Sequence, residues 1–121
     1  MSKQDYNMSM EQVEFVLDHV TNCHLSDNLK WIKQENAKGN PVMDMFDNLT
    51  MPDGTRITVR LRYTWKEQEK RYVYLVSFFV NSQWAVPWHD KSIASKGNEI
   101  KLRMISRYAI KAYENEKSTE V

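Results

Sequence analysis

Within the stretch TRITVRLRYTWKEQEKRYVYLVSFFV, Thr55 to Val80, three arginines stand at Arg56, Arg60 and Arg62. All three positions are even, so an extended chain projects them from one side while Ile57, Val59 and Leu61 project from the other. A row of guanidinium groups offers planar forks of N–H donors matched to carboxylates or phosphates. Aromatic groups beside such a row stack on nucleic-acid bases or fill a partner's pockets. The row also has a plainer reading, in which a helix covers the apolar part of that side and the arginines sit at its rim, paired with Asp44 and other acids.

Other chemistry-bearing groups are sparse. His19 and Cys23 have the i, i+4 spacing that offers two ligands to zinc on a helix, and His89-Asp90 could complete a site, but the repeated ligand pairs of a structural zinc motif are missing. Cys23 is followed by His24, yet adjacent helical residues project about 100° apart and rarely share a proton. Asp47 is out of keeping with its neighbours, because alternation turns it toward the apolar side opposite Val59; a strand end, a bulge or a hydrogen-bonded buried carboxylate would each account for it. Gly39, Gly54 and Gly97 are isolated and each fits a turn or cap, so no glycine-rich phosphate loop exists. No Ser, His and Asp set forms a local motif. The expectation is a protein without catalytic residues, metal or cofactor.

The chain of 121 residues fits one domain, ordered over about residues 8–114 between short polar tails, and is long enough to bury a core. A single cysteine cannot form an internal disulfide, which points to a reducing, cytoplasmic setting. No apolar run is long enough to span a bilayer, so no membrane partner is expected. The net charge of +1 conceals a division: residues 1–53 carry 4 basic and 9 acidic side chains, whereas residues 54–121 carry 13 and 7. Such asymmetry marks either a surface for an anionic partner or two halves that neutralise one another.

The elements that must position these residues follow from local pattern. Ser9-Met10-Glu11-Gln12 matches a capping box, with Met8 and Val13 placed for a hydrophobic staple, and Val13, Val16, Leu17 and Val20 form one helical stripe over about Met10–Asn22. Ser26 caps a second, shorter expected helix that ends at Gly39, before Pro41. MPDGT, Met51–Thr55, reads as a three-residue hairpin loop. With Met51 opposite Thr55, Leu49 meets Ile57, Asp44 meets Arg62 and Phe46 meets Arg60. A four-residue loop KEQE then sets Trp65 against Lys70, and Tyr63, Leu61, Val59 and Ile57 against Tyr72, Tyr74, Val76 and Phe78. Both apolar sets fall on one face, which a one-residue slip would destroy.

A two-residue turn at Asn81-Ser82 returns the chain through QWAVPW, setting Trp84 and Trp88 beside Phe79 and Leu75 on the arginine side, with Pro87 marking an edge strand. Asn98 caps a last helix, about Glu99–Asn115. Its expected buried stripe is Leu102, Ile105, Tyr108, Ala109, Ala112 and Tyr113, and Arg103, Arg107 and Lys111 form a basic ridge that also suits the C-terminal end of a helix. The fold class expected is α+β: a four-stranded antiparallel meander with one or two N-terminal helices and a C-terminal helix packed on it.

Function is then expected to be non-catalytic binding, as a protein-interaction or inhibitor module, with the small size and the Lys, Asn and Glu usage suggesting an accessory protein of phage or mobile-element type. The candidate contacts are Arg56, Arg60, Arg62, Phe79, Trp84, Trp88, Arg103, Arg107 and Lys111. The alternative is nucleic-acid binding, which requires the helix ridge to adjoin the arginine row in one electropositive surface. Self-association as a homo-oligomer, through the Pro87 strand or exposed tryptophans, is left open.

Overall fold

The computed structural model describes residues 6–22 and 31–119. In chain order the elements are β1 (Tyr6–Asn7), α1 (Met10–Asn22), β2 (Ile32–Glu35), β3 (Pro41–Thr50), β4 (Arg56–Lys66), β5 (Arg71–Val80), β6 (Gln83–Val86) and α2 (Lys91–Thr119). The strands form one six-stranded sheet in the order β1-β6-β5-β4-β3-β2. Only the β1–β6 pair is parallel. The class is α+β, and the expected meander is the central β3–β6 of a wider mixed sheet. Among the described residues no helix is long and apolar enough to cross a membrane.

α1 begins as its sequence dictates. The Ser9 backbone N–H donates to Gln12 Oε1 at 2.9 Å and the Gln12 N–H donates to Ser9 Oγ at 3.1 Å, a reciprocal capping box. Met8 and Val13 are both buried behind it, as a staple requires. Val16 and Val20 continue the stripe into the core.

The MPDGT turn closes with the Met51 N–H on the Thr55 carbonyl at 2.8 Å, and Gly54 takes a φ of 91°, a conformation that a Cβ would strain. The β3–β4 register follows, with Leu49 on Ile57, Phe46 on Arg60 and Asp44 on Arg62. The β4–β5 register needs a correction. Ile57 pairs with Val80, Val59 with Phe78, Leu61 with Val76, Tyr63 with Tyr74 and Trp65 with Tyr72. The four-residue loop is therefore Glu67–Lys70 rather than Lys66–Glu69, and every partner moves by two. Lys70 takes the left-handed position at φ 52°, and ion pairs from Glu67 to Lys70 and from Glu69 to Arg71 hold the tip. A shift of two preserves the faces, which is why apolar pattern could not distinguish the registers. The Asn81-Ser82 turn is as expected, both residues having positive φ, and it pairs Phe79 with Trp84.

Three further expectations are corrected. The part of the second helix within the described residues is instead β2 and a turn: Ile32 pairs with Asp44 and Glu35 with Pro41. The Asn36 side chain accepts from the Lys38 and Asn40 N–H groups, and Gly39 takes a φ of 80°. A left-handed Gly followed by Pro serves a hairpin loop as well as a helix end, and pairing with β3 outweighed a thin helical stripe; residues 26–30 lie outside the described residues. The Pro87 strand is not an edge, since β1, expected in or beside a polar tail, pairs with β6 (Tyr6 with Ala85, Asn7 with Val86). Pro87 comes one residue after β6 and so removes no ladder bond.

The last helix starts at Lys91, not Glu99. Asp90 Oδ1 accepts from the Ser92 hydroxyl and from the Ser92 N–H at 2.8 Å, capping it in place of Asn98, and these bonds hold the Asp90 carboxyl below its ordinary pKa. Gly97 lies inside the helix, where a Cβ would come within 3.3 Å of Pro87 Cγ. Ile93, Ile100, Met104, Tyr108 and Ala112 make the buried stripe, while Leu102 is 68% and Tyr113 58% exposed. The polar run KSIASKGNE concealed the first two turns and displaced the expected stripe.

Both helices pack on the same side of the sheet. Val13, Val16 and Val20 of α1 and the α2 stripe share one core with Met45, Leu49, Ile57, Val59, Leu61, Val76, Phe78 and Val80. Asp47 faces this core and is satisfied there. Its Oδ2 accepts from Tyr108 Oη at 2.9 Å and lies 2.9 Å from His19 Nε2, joining β3 to both helices. Tyr108→Phe should lower unfolding free energy by about 1–3 kcal/mol, and Asp47→Ala by more, because it removes the acceptor that Tyr108 and His19 share. Urea titration measures both, and two midpoints equal to wild type would show that this junction does not hold the helices to the sheet.

Candidate binding face

The side of the sheet away from the helices is built by β4 alternation and its neighbours. Arg60 lies between Phe46 and Ser77, Arg62 between Asp44 and Leu75, and Thr58 between Asn48 and Phe79; Trp84 extends the row onto β6. None of these side chains belongs to the core shared with the helices. Leu75 is 43% and Trp84 44% exposed. Beside them a groove of about 660 Å³ runs between the Asn36–Asn40 loop and Val42, Arg62, Thr64 and Leu75.

The three arginines have different environments. Arg62 Nε and Nη2 donate to the two oxygens of Asp44 at 2.8 and 2.9 Å, a bidentate pair in which Asp44 is fully buried. The Asp44 hydrogen bonds raise the Arg62 pKa, against burial. Its charge is used to neutralise a carboxylate and is not available to a partner. Arg60 forms no ion pair among the described residues. Its Nη2 donates to Ser77 Oγ at 3.2 Å, and its guanidinium carbon lies 5.3 Å from the Phe79 ring centroid and 5.8 Å from that of Trp84. Those two rings meet edge to face at 5.4 Å and 87°. The Nε–H is buried with no acceptor. Burial lowers the Arg60 pKa, as does the charge of Arg62, with Asp44 opposing; a guanidinium remains charged through such a shift. Arg56 is exposed at the strand end and forms no ion pair among the described residues.

The remaining sequence candidates lie elsewhere. Trp88 is not on this side: with β6 ended at Val86, alternation no longer applies, and its ring meets that of core-facing Phe78 at 6.2 Å and 71°. Arg103, Arg107 and Lys111 ride on α2, behind the sheet from the arginine row, so the two basic surfaces do not adjoin. Arg103 pairs with Glu99 at 3.0 Å and reaches Thr21 Oγ1 at 3.4 Å; Arg107 and Lys111 are half-buried. Of the zinc candidates, His19 is held by Asp47 and His89 Nε2 donates to the Met8 carbonyl at 2.8 Å. Cys23 and His24 lie outside the described residues, and among the described residues no three His, Cys, Asp or Glu side chains are grouped to hold a metal.

One aromatic group went unanticipated. Trp31, Tyr63 and Tyr74 lie within 6.2 Å of one another by ring centroids, and Tyr63 stacks on Tyr72 at 4.4 Å. With Met43, Ala109 and Tyr113, the first three line a cavity of about 310 Å³ on the helix side. Tyr63, Trp65, Tyr72 and Tyr74 alternate visibly in the sequence, but only β2 brings Trp31 to them. No known protein family, curated protein or solved structure matches the chain.

The Arg62–Asp44 pair yields a test of this arrangement. Arg62→Leu should cost about 3–5 kcal/mol by leaving a buried carboxylate unpaired. Adding Asp44→Val should restore most of that loss. If urea unfolding shows the single variant unchanged, or the double variant no better than the single, Asp44 is not buried beneath Arg62.

Proposed function

We propose that this chain is a non-catalytic protein-binding module, of an inhibitor or adaptor kind, that contacts its partner with the uncovered side of its sheet. One observation carries the reading: both helices lie on one side, and on the other the Arg60 guanidinium lies over the Phe79 and Trp84 rings, with exposed Leu75 on the same side. Tryptophan and arginine are the residue types enriched where interface energy concentrates, and rings fixed before contact reduce the entropy lost on binding.

Nucleic-acid binding has less support. It draws its affinity from several uncompensated cations along one surface. Here Arg62 is neutralised by Asp44, and the basic residues of α2 lie behind the sheet.

The test is capture from lysate, with and without nuclease treatment, by the immobilised protein, at about 50 and about 200 mM salt. The expected result is a protein that stays bound across that range and is lost, by about thirtyfold or more in Kd, on Trp84→Ala. Leu102→Ala, on the exposed face of α2, should retain it. Retention by the Trp84 variant would place the contact elsewhere, and binding that vanishes with nuclease or falls steeply with salt would favour nucleic acid.

A further inference from the structure

The strands project several cations on the open side, Arg56, Arg60, Arg62 and Lys66 among them, but among the described residues only one acid, Asp44. That acid is fully buried, and both its oxygens are taken by Arg62. Arg60 therefore forms no ion pair among the described residues, on a surface half made of apolar groups. Its environment is unusual in a second way. One N–H of the guanidinium is buried without an acceptor, Nη2 has only a neutral hydroxyl, and Nη1 makes no hydrogen bond among the described residues. The guanidinium carbon lies 5.3 Å from the Phe79 ring centroid and 5.8 Å from that of Trp84, and the Ser77 bond adds a third contact, so part of the entropy of ordering a long side chain is lost before a partner arrives.

We infer that Arg60 is a receptor for a carboxylate: the partner inserts an Asp or Glu side chain, flanked by apolar groups, onto the Nη edge of Arg60 while those groups cover Leu75, Phe79 and Trp84. This rests on the protein-binding reading above and names the chemistry of the partner. A single carboxylate matches the single uncompensated fork and is far less costly to strip of water than a phosphate dianion in so apolar a setting. A second copy of the chain does not supply it through the same face. A two-fold stack would oppose arginine rows, and the one acid that the described strands project there is already committed to Arg62.

Fragments test the assignment directly. The wild-type protein is titrated near neutral pH with phenylacetate, phenylacetamide and inorganic phosphate, observing the Arg60 Nε–H and Trp84 Nε1–H resonances by NMR. Phenylacetate should shift both to saturation, with a Kd about tenfold below that of phenylacetamide, since a charge-assisted pair replaces a neutral contact. In Arg60→Gln the two fragments should bind equally at Trp84. Equal affinities in the wild type would overturn the carboxylate assignment while leaving the face as a contact surface. Tighter binding of inorganic phosphate would reassign Arg60 to phosphate. If no fragment moves Trp84, both the assignment and the proposed contact face fall.

Discussion

Side chains in a pleated strand alternate, and in four consecutive strands of this chain that constraint sorts chemistry by side. Ile57, Val59 and Leu61 cannot face the helices without sending Arg60 and Arg62 to the opposite surface. The neighbouring strands are held in the same phase by their turns: Gly54 fixes β3 to β4, Lys70 fixes β4 to β5, and Asn81 and Ser82 fix β5 to β6. The two helices need one apolar surface and find it on one side only. What remains on the other is therefore a by-product of core formation as much as a site, and its character depends on how each polar group there is satisfied.

Three carboxylate and guanidinium placements show how unevenly that was done. On the helix side, Asp47 is an acid in an apolar setting that Tyr108 and His19 satisfy, so it acts as a joint between layers. On the open side, Asp44 is buried but doubly bonded to Arg62, so both charges are absorbed. Arg60, by contrast, is partly buried, lies over two rings and is short of acceptors among the described residues. The row that looks like three equivalent cations in the sequence is one structural pair, one poised donor and one exposed side chain at a strand end. On the reading proposed above, one guanidinium among aromatic groups meets a specific contact rather than a polyanion.

Much of this was legible in the sequence because it rests on local rules. The capping box at Ser9, the MPDGT loop, and the opposition of Asp44 to Arg62 all follow from residue type and spacing, and Asp47 stood out because it broke the alternation. The errors lay where a local signal has two structural uses or where tertiary contact decides. Gly39 before Pro41 fits a helix end and a hairpin loop alike, and only pairing with β3 selects the strand. Gly97 and Asn98 looked like a helix boundary, whereas Gly97 is the place where α2 closes on Pro87. β1 has two residues and no pattern of its own, so nothing before folding marks it as the strand that covers β6. Trp88 stands two residues past the end of β6, where strand alternation no longer decides its side.

The state of the open side in the free protein bears most directly on this account, and solvent paramagnetic relaxation by an uncharged gadolinium chelate measures it. Protons of the Leu75 methyls and the Trp84 indole should relax strongly, while those of Val59 and Phe78 on the helix side stay protected. Leu75 and Trp84 as protected as Val59 would mean that the side carrying Arg60 is already covered, contradicting the account at its root.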